Sequence, residues 1–258
     1  MDLGLKGRGA LITGASKGIG FACAWSLARE GVNVHLAART ESDLEAARNR
    51  IVEAFGVEVV IHPTDLSFGE NARALVEGCR DVDILVNNAG AIPGGSIDDI
   101  EEARWRHAWD LKVFGYQNTC RAMLGHMKER ESGVIVNIIG AAGEAPSAGY
   151  VAGSAGNASL MALTRALGAT SRRFGVRVVG INPGLIVTDR MISLSRGVAE
   201  RRFGDPDRWR ETLDQTYPPG QPEHIGDMTA FLASDLSSNT TGTVITIDGG
   251  SSARGAVI

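Results

Sequence analysis

Seven short apolar segments alternate with longer helical segments along most of the chain. The apolar segments are rich in β-branched residues, and most are followed by a stretch whose apolar residues recur at helical spacing. Strands that are apolar throughout and are joined by helical crossovers form a parallel sheet with both faces covered. The strands are predicted at Gly9–Thr13 and at residues 32–38, 58–62, 83–87, 133–139, 177–181 and 242–247. Because such crossovers are right-handed, we expect an α/β fold, a Rossmann-type doubly wound three-layer sandwich around a seven-stranded parallel sheet.

The connecting helices are regular, with one exception. They are predicted at residues 18–30, 42–55, 71–79, 101–129 and 150–174. Residues 191–220, between strands six and seven, have only weak periodicity, and a loop region of that length is usually functional or disordered. A chain of 258 residues has the size of one α/β domain. We therefore predict a single domain over residues 1–258, with residues 190–220 inserted between strands six and seven.

The composition argues against several classes of partner. A net charge of −4 gives no reason to expect nucleic acid or an anionic membrane surface. No apolar run approaches the roughly 18 residues of a membrane span, and no secretory signal is evident, so we expect a cytoplasmic protein. The three cysteines, Cys23, Cys79 and Cys120, form no C-x-x-C pair. Their sparse placement fits a reducing compartment and predicts no metal site.

A glycine-rich turn at residues 13–20 separates the first strand from the first helix. Gly14 permits a tight turn, Gly18 lets the backbone approach a pyrophosphate, and Gly20 lets the helix pack closely on the strand. The free N–H groups of the helix N-terminus and its partial positive charge favour phosphate. An ordinary βα turn is the alternative, but a position in the first βαβ unit favours a dinucleotide site.

The G-x-x-x-G-x-G spacing of this turn and the motifs that follow it resemble the short-chain dehydrogenase/reductase family over nearly the whole chain. The motifs are TGxxxGIG at 13–20, Asp65-Leu66 after strand three, NNAG at 87–90, Pro183-Gly184, Ile186 with Thr188, and DGG at 248–250. The resemblance implies a bound nicotinamide cofactor, with Asp65-Leu66 near the adenine and Ile186 and Thr188 at the carboxamide. The expected cofactor-binding residues are Gly14, Ser16, Lys17, Gly18, Ile19, Gly20, Arg39, Asp65, Leu66, Asn88, Ala89, Gly90, Tyr150, Pro183, Gly184, Ile186 and Thr188.

The end of the second strand predicts which cofactor binds. A carboxylate there would bond the ribose 2′-hydroxyl of NAD and repel a 2′-phosphate. This chain has Ala38 at that place, followed by Arg39. A guanidinium can hold a phosphate through two parallel hydrogen bonds, and Lys17 in the glycine-rich turn can reach the same group. We therefore predict NADP(H) rather than NAD(H), the alternative being that both cations are solvated surface charges.

The resemblance also implies a catalytic group of four side chains. The family uses a tyrosine as acid and base, a lysine four residues later, a serine at the preceding strand end, and an asparagine on the central helix. In that arrangement the lysine lowers the tyrosine pKa and holds the nicotinamide ribose. Tyr150 matches the tyrosine, whereas Ser154 stands at the lysine place, Gly140 at or near the serine place, and Asp110 at the asparagine place.

This incomplete set leaves more than one function open. A tyrosine without a neighbouring cation is a poor base near neutral pH, although it can donate a proton to a developing alkoxide. We predict an NADP(H)-dependent oxidoreductase that interconverts a carbonyl and a hydroxyl group, with Tyr150, Ser154 and Asp110 as candidate catalytic residues. The alternatives are a non-catalytic NADP-binding regulatory protein, and a lyase or isomerase on the same fold.

Other side chains are candidates to replace the lost groups. Ser154 offers a hydroxyl without charge, and Asn157 lies further along the same helix. Glu144 is expected to be a solvated loop carboxylate. Lys112 is two residues from Asp110 and should point elsewhere on the helix, so we expect it at the surface or at a subunit contact.

Residues 190–220 combine cations with apolar and aromatic side chains. Six arginines lie there, namely Arg190, Arg196, Arg201, Arg202, Arg208 and Arg210. They could receive a small-molecule substrate that is acidic and has an apolar body, or they could belong to a solvated helix in which they pair with neighbouring acids. The family resemblance further implies a homotetramer or homodimer built on the central helix, the Tyr150 helix and the C-terminal strand.

Overall fold

All seven predicted strands lie in one parallel sheet in the computed structural model, which describes residues 2–253. Their order across the sheet is β3-β2-β1-β4-β5-β6-β7. The strands are β1 (Gly9–Thr13), β2 (Asn33–Ala38), β3 (Val59–Pro63), β4 (Ile84–Asn87), β5 (Gly133–Ile138), β6 (Val176–Pro183) and β7 (Val244–Ile247). The predicted doubly wound α/β sandwich is confirmed.

Helices cover both faces of this sheet. They are α1 (Gly18–Arg29), α2 (Glu41–Phe55), α3 (Gly69–Gly78), α4 (Glu102–Trp109), α5 (Gly115–Glu129), α6 (Val151–Ser171), α7 (Asp189–Phe203) and α8 (Pro222–Ala233). One layer contains α1, α2 and α8, and the other contains α3, α5 and α6. Side chains of β1 alternate between the two cores: Ala10 and Ile12 pack on the first layer and Leu11 on the second. Within the described range, none of the helices combines the length and apolar character that crossing a bilayer requires.

The chain turns in opposite directions after β1 and after β4, which are neighbours in the sheet. In an open parallel sheet this topological switch leaves a crevice beyond the carboxyl ends of the strands. Thr13, the last residue of β1, holds the two diverging loops together. Its Oγ1 accepts hydrogen bonds from the backbone N–H of Asn88 at 2.9 Å and of Ala89 at 3.1 Å.

A buried polar network fixes the strands that end beneath this crevice. The side-chain amide of Asn87 donates to Asn137 Oδ1 at 2.9 Å, which joins β4 to β5. Thr119 of α5 donates to Asn87 Oδ1 at 2.7 Å, and Asn137 donates to Thr164 of α6 at 2.9 Å. Because these polar atoms satisfy one another, they hold two strands and two helices in one arrangement.

The central helix differs from the expectation of one regular helix over residues 101–129. It begins as α4, passes through a π-helical turn at Asp110–Phe114, and continues as α5. A π turn accommodates one more residue than an α turn and is frequent at functional sites. The turn includes both Asp110 and Lys112.

Residues 190–220 are more regular than their weak periodicity predicts. They contain most of helix α7 and a 3₁₀ segment at Pro206–Thr212. Thr188 caps α7 by accepting a hydrogen bond from the N–H of Met191 at 3.2 Å. The helix buries only Met191, Ser195 and Ala199, so its apolar stripe is too narrow to produce a clear helical pattern. Helix α8, which follows, is not assigned from the sequence either.

Candidate functional site

A cavity of about 810 Å³ occupies the crevice at the carboxyl ends of the strands. Its wall is built by the segments that follow each of the strands from β1 to β6. Fifteen of the seventeen residues predicted to bind the cofactor line it. They are Gly14, Ser16, Lys17, Gly18, Ile19, Arg39, Leu66, Asn88, Ala89, Gly90, Tyr150, Pro183, Gly184, Ile186 and Thr188. The sequence motifs thus converge on one elongated site.

The glycine-rich turn forms one end of the cavity. Gly14 and Gly18 have φ of +65° and +59°, in the left-handed region that favours glycine. A Cβ at Gly14 would lie 2.8 Å from Asn88 Nδ2, so a side chain would collide with the loop after β4. In the described structure no side chain caps α1, and its first turn has no acidic residue. The backbone there fits the phosphate-binding role predicted for it.

Gly20 and Asp65 are the two predicted residues that do not line the cavity. A Cβ at Gly20 would lie 2.2 Å from the carbonyl oxygen of Gly14, so Gly20 serves the close packing expected of it. The Asp65 carboxylate faces its own loop, where it accepts bonds from the Ser67 N–H at 3.0 Å and hydroxyl at 2.8 Å. Its neighbours Thr64 and Leu66 reach the cavity instead.

Two cationic side chains line the cavity near the end of β2. Ala38, Arg39 and Lys17 all line the cavity, as do Thr40 and Asp43. The Lys17 ammonium lies 3.8 Å from the Asp43 carboxylate with 71% of its side chain exposed, so this ion pair is loose. This end of the cavity therefore offers positive charge and no strand-end carboxylate.

Tyr150 lies at the other end of the cavity, at the start of α6. Its ring folds over the first turn of the helix: a Cβ at Gly153 would lie only 2.0 Å from Tyr150 Cε1. The ring therefore occupies the space that a side chain at position 153 would take. Burial raises the pKa of the phenol, and the positive charge of Arg190 opposes that rise.

The backbone around Tyr150 is held by the loop after β4. Gly95 donates to the carbonyl of Gly149 at 2.8 Å, and Val151 donates back to the carbonyl of Gly95 at 3.3 Å. Gly95 and Tyr150 thereby form a parallel β-bridge. The loop that carries Gly90 to the cavity thus also fixes the start of α6.

Ser154 and Asp110 are not brought to the cavity. The Ser154 hydroxyl accepts a bond from the N–H of Ser147 at 3.0 Å, so it holds the preceding loop. Gly140 does reach the cavity, but it has no room for a serine. A Cβ there would lie 2.7 Å from Asn157 Nδ2, and its φ is +145°.

Lys112 lines the cavity, and the expectation of a surface or subunit-contact position is wrong. Its ammonium donates to the carbonyl of Ile139 at 2.6 Å. Burial, and in second place the charge of Arg190, lowers the pKa of this ammonium to about 8. Lys112 and Asp110 do point in different directions, but Lys112 is the residue that faces inward. Helical spacing could have shown this, because Lys112 is four residues from both Ala108 and Tyr116, which are buried.

Asn157, a candidate from the sequence to replace a lost group, is the second polar side chain at this end of the cavity. It lines the cavity and is 2% exposed. Its Oδ1 is one of two buried side-chain polar atoms in the described structure without a hydrogen-bond partner. Glu144, by contrast, lies outside the cavity lining and accepts a bond from the Thr246 hydroxyl at 2.6 Å.

Most arginines of residues 190–220 contact other side chains of the same segment. Arg196 pairs with Asp207 at 3.0 Å, and Arg208 pairs with Glu211 at 2.6 Å. Arg202 lies over the ring of Phe203 and Arg210 over that of Trp209. Of the six, Arg190 alone lines the cavity, where its guanidinium donates to the carbonyls of Gly90 and Ile92.

The family model of short chain dehydrogenases matches residues 8–198. The chain belongs to the short-chain dehydrogenase family. A putative ketoacyl reductase of the monensin polyketide synthase from Streptomyces virginiae is 32% identical, covering 94% of this chain and 96% of that protein. L-sorbose reductase from Gluconobacter frateurii, solved with NADPH and L-sorbose, has a TM-score of 0.90 and 30% identity, covering 96% of this chain and 98% of its own. A xylitol dehydrogenase bound to NAD⁺ has a TM-score of 0.87 and 26% identity, covering 95% and 99%.

Proposed function

We propose that this short-chain dehydrogenase is an NADP(H)-dependent oxidoreductase that interconverts a carbonyl and a hydroxyl group. The observation that carries the proposal is a single cavity with a glycine-lined phosphate cradle at one end and the Tyr150 ring at the other. An extended dinucleotide laid on the cradle would run along the cavity toward Tyr150. Membership in a family whose relatives are named reductases and dehydrogenases supports the same reaction class.

The residues at the end of β2 support NADP(H) over NAD(H). Solved relatives with either NADPH or NAD⁺ exist, so the fold admits both cofactors. In this chain Arg39 and Lys17 face the cavity where a 2′-phosphate would lie, and Ala38 removes the carboxylate that would repel it. A charge-assisted pair of hydrogen bonds from a guanidinium is the stronger of these contacts.

The chain's own residues provide the proton for the reaction. A bound reduced nicotinamide supplies a hydride to the substrate carbon, and the protein supplies position and electrostatics. The raised pKa of Tyr150 keeps its phenol protonated near neutral pH, so it can donate to the oxygen that develops negative charge. In the oxidative direction the phenol must first lose its proton, and the phenolate oxygen would then accept the hydroxyl proton.

The substrate end of the cavity is apolar apart from the cations Arg190 and Lys112. Leu185, Met191 and Leu194 line it together with Arg190. We propose a small carbonyl compound with an apolar body, and any acidic group on it would be met by Arg190. The arginines paired on the outer face of α7 take no part in this contact.

Assembly belongs to the proposal as well. The predicted homotetramer or homodimer would bury the central helix, where Phe114 is 48% exposed in the described chain. Light scattering after gel filtration gives the assembly mass directly. A monomer at micromolar concentration would contradict this part of the proposal alone.

Two measurements test the proposed function. Isothermal calorimetry should show NADPH binding more tightly than NADH, and absorbance at 340 nm should report oxidation of NADPH by a panel of ketones and oxoacids. A Tyr150→Phe variant should bind NADPH normally and lose turnover. Binding without turnover on any substrate would favour the non-catalytic alternative, whereas turnover without net cofactor oxidation would favour a lyase or isomerase.

A further inference from the structure

The active site lacks a lysine on α6, yet it contains one from the central helix. We propose that Lys112 supplies the cation of this site and Asn157 the amide. In the family arrangement the lysine lies on the tyrosine helix and the asparagine on the central helix, so these two side-chain types have exchanged helices in this chain. This inference rests on the proposed oxidoreductase function. Three separate observations support it.

The first contact locates the position from which residues on α6 should be counted. The Tyr150 ring lies over Gly153, in the space of a side chain at that position. The family spacing of four residues, counted from 153 rather than from 150, leads to Asn157. Asn157 lines the cavity, whereas Ser154, four residues after Tyr150, holds Ser147 instead. The amide therefore stands where the lysine of the family stands.

The second contact places the lysine. The Lys112 side chain passes along Gly90, where a Cβ would lie 2.8 Å from Lys112 Cδ. Its ammonium reaches the carbonyl of Ile139 at the end of β5. On the same helix, Tyr116 donates to the adjacent carbonyl of Ile138 at 2.7 Å. The ammonium is thus held at the end of β5, next to Gly140, which also lines the cavity.

Among the charged and titratable groups around Lys112, only Lys112 itself and Arg190 are cations that line this end of the cavity. Tyr116 lies on its own helix and Tyr150 on α6, and Asp189 and Arg190 approach from α7. Asp110 and Glu144 lie outside the cavity lining. Arg190 acts on the pKa values of both Lys112 and Tyr150. A lysine ammonium can exchange a proton near neutral pH, whereas a guanidinium does not.

The third observation is a missing contact: Asn157 Oδ1 has no hydrogen-bond donor. A buried carbonyl oxygen without a donor is unfavourable, because no hydrogen bond compensates for the loss of its hydration. Asn157 lines the cavity, so a hydroxyl group or a water that reaches this oxygen would satisfy it. An acceptor left open toward a binding site is expected where a ligand completes the hydrogen bonding.

The proton balance of the step is simple. When Tyr150 has given its proton to the substrate oxygen, the phenolate is stabilised by the ammonium of Lys112. Transfer of a proton from that ammonium restores the phenol and leaves a neutral amine. The amine then takes a proton from solvent, which its pKa of about 8 allows near neutral pH.

The pKa of Lys112 is measurable apart from activity. The chain has four lysines, Lys6, Lys17, Lys112 and Lys128, so [ε-¹³C]lysine NMR gives four resolvable signals. In the wild-type protein without cofactor, one signal should titrate near pH 8 and vanish in Lys112→Met. Saturating NADPH should shift that titration to higher pH because phosphate charge favours the ammonium. An ordinary pKa, or one that NADPH leaves unchanged while it binds, would overturn the inference.

Kinetics of a matched exchange completes the test. Lys112→Asn should lower kcat by about 10²–10⁴-fold, and the double variant Lys112→Asn/Asn157→Lys should recover at least tenfold of that loss. Lys128→Met, at the far end of the same helix, should leave kcat unchanged. Equal activity of wild type and Lys112→Asn would refute the role of Lys112 while leaving the proposed function intact. Absence of NADPH binding by the wild-type protein would overturn the proposed function instead.

A second observation, at strands β2 and β3, stands independently of the first. We infer that His35, His62 and Cys79 form a binding site for a zinc-like divalent metal ion. The sequence does not predict it, because the three residues are scattered along β2, β3 and the end of α3. They constitute the one group of potential metal ligands of this kind among residues 2–253.

The ligand atoms form a compact triangle. His35 Nδ1 lies 3.0 Å from His62 Nε2, and Cys79 Sγ lies 3.5 Å from each of these nitrogens. Around a tetrahedral zinc ion with ordinary bond lengths, the corresponding separations are about 3.3 Å and about 3.6 Å. The triangle therefore needs only small movements to take such an ion, with its fourth position open.

The surroundings suit a cation. A second cavity of about 330 Å³ reaches His35 and Cys79 and is also lined by Glu58, Asp81 and Asp83. Binding would release the proton of the Cys79 thiol into solution, because the thiolate is the form that binds the metal ion.

Cobalt substitution tests this site. Titration of chelator-treated protein with Co²⁺ should give one equivalent, with a thiolate charge-transfer band and intense tetrahedral visible bands. Cys79→Ser should abolish the charge-transfer band and His62→Gln should weaken binding at least tenfold, while His107→Gln, on the exposed face of α4, should not. Should Cys79→Ser fail to fold, protection of wild-type Cys79 from iodoacetamide by Zn²⁺ provides the same information. No charge-transfer band, or no protection, would overturn the inference and leave a histidine–cysteine hydrogen-bond cluster.

Discussion

Replacing Gly153 by alanine should separate the activity of this protein from its stability. The added Cβ would lie 2.0, 2.1 and 2.6 Å from Cε1, Cζ and Cδ1 of Tyr150. Ordinary carbon–carbon contacts are about 3.5–4.0 Å, so the ring must move by about 1.5–2 Å. A misplacement of about 1 Å at a catalytic group can cost about 10²-fold in rate. We therefore expect kcat/KM of Gly153→Ala to fall at least about 10²-fold.

The same substitution should leave the fold intact. Alanine favours a helix interior over glycine by about 0.5–1 kcal/mol, which offsets the packing that the displaced ring loses. The denaturation midpoint should therefore change little while activity collapses. Gly125→Ala is the matched control, because that helical glycine has no atom within 4 Å of an added Cβ. Wild-type turnover by Gly153→Ala would refute the position assigned to the Tyr150 ring and, with it, the count that leads to Asn157.

Three further outcomes follow from the contacts described. Arg39→Asp should weaken NADPH binding about a hundredfold in calorimetry and spare NADH, since it exchanges a phosphate-binding cation for a repelling carboxylate; an unchanged preference would contradict the assignment of Arg39. Because the folded-state pKa of Lys112 is about 8 and phosphate favours its ammonium, NADPH affinity should decline as the pH rises above 8, and Lys112→Met should flatten that decline. Arg177 is 7% exposed and donates to the carbonyls of Leu232 and Ser234 at 2.8 and 3.0 Å. Arg177→Met should therefore lower the free energy of unfolding, measured by urea denaturation, by about 3 kcal/mol. The exposed Arg121→Met should leave that free energy unchanged.

The sheet and the phosphate cradle were accessible from the sequence because their signals are local. Each strand is a short apolar run, and the glycines of residues 13–20 are required by backbone contacts that a side chain would violate. Fifteen of the predicted cofactor-binding residues line one cavity for the same reason, since each motif directly follows a strand. Gly20 and Asp65 belong to the same motifs but serve packing and loop structure.

The Tyr150 end of the cavity was harder to predict from the sequence, because it depends on the direction in which side chains point. Counting four residues from Tyr150 leads to Ser154, but the ring leans forward over Gly153, which no local pattern indicates. The π turn likewise is not visible in residue type, although the spacing of four residues from buried Ala108 and Tyr116 does favour Lys112 over Asp110. Helix α7 was missed because its buried stripe contains only three residues.

The β-bridge between Gly95 and Tyr150 has a kinetic consequence. One stretch of chain runs from the nucleotide wall at residues 88–90 to the two hydrogen bonds that clamp the start of α6. A dinucleotide that rigidifies this wall also rigidifies the phenol before any substrate arrives. A compulsory order of addition, nucleotide first, is therefore the expected rate law for this enzyme.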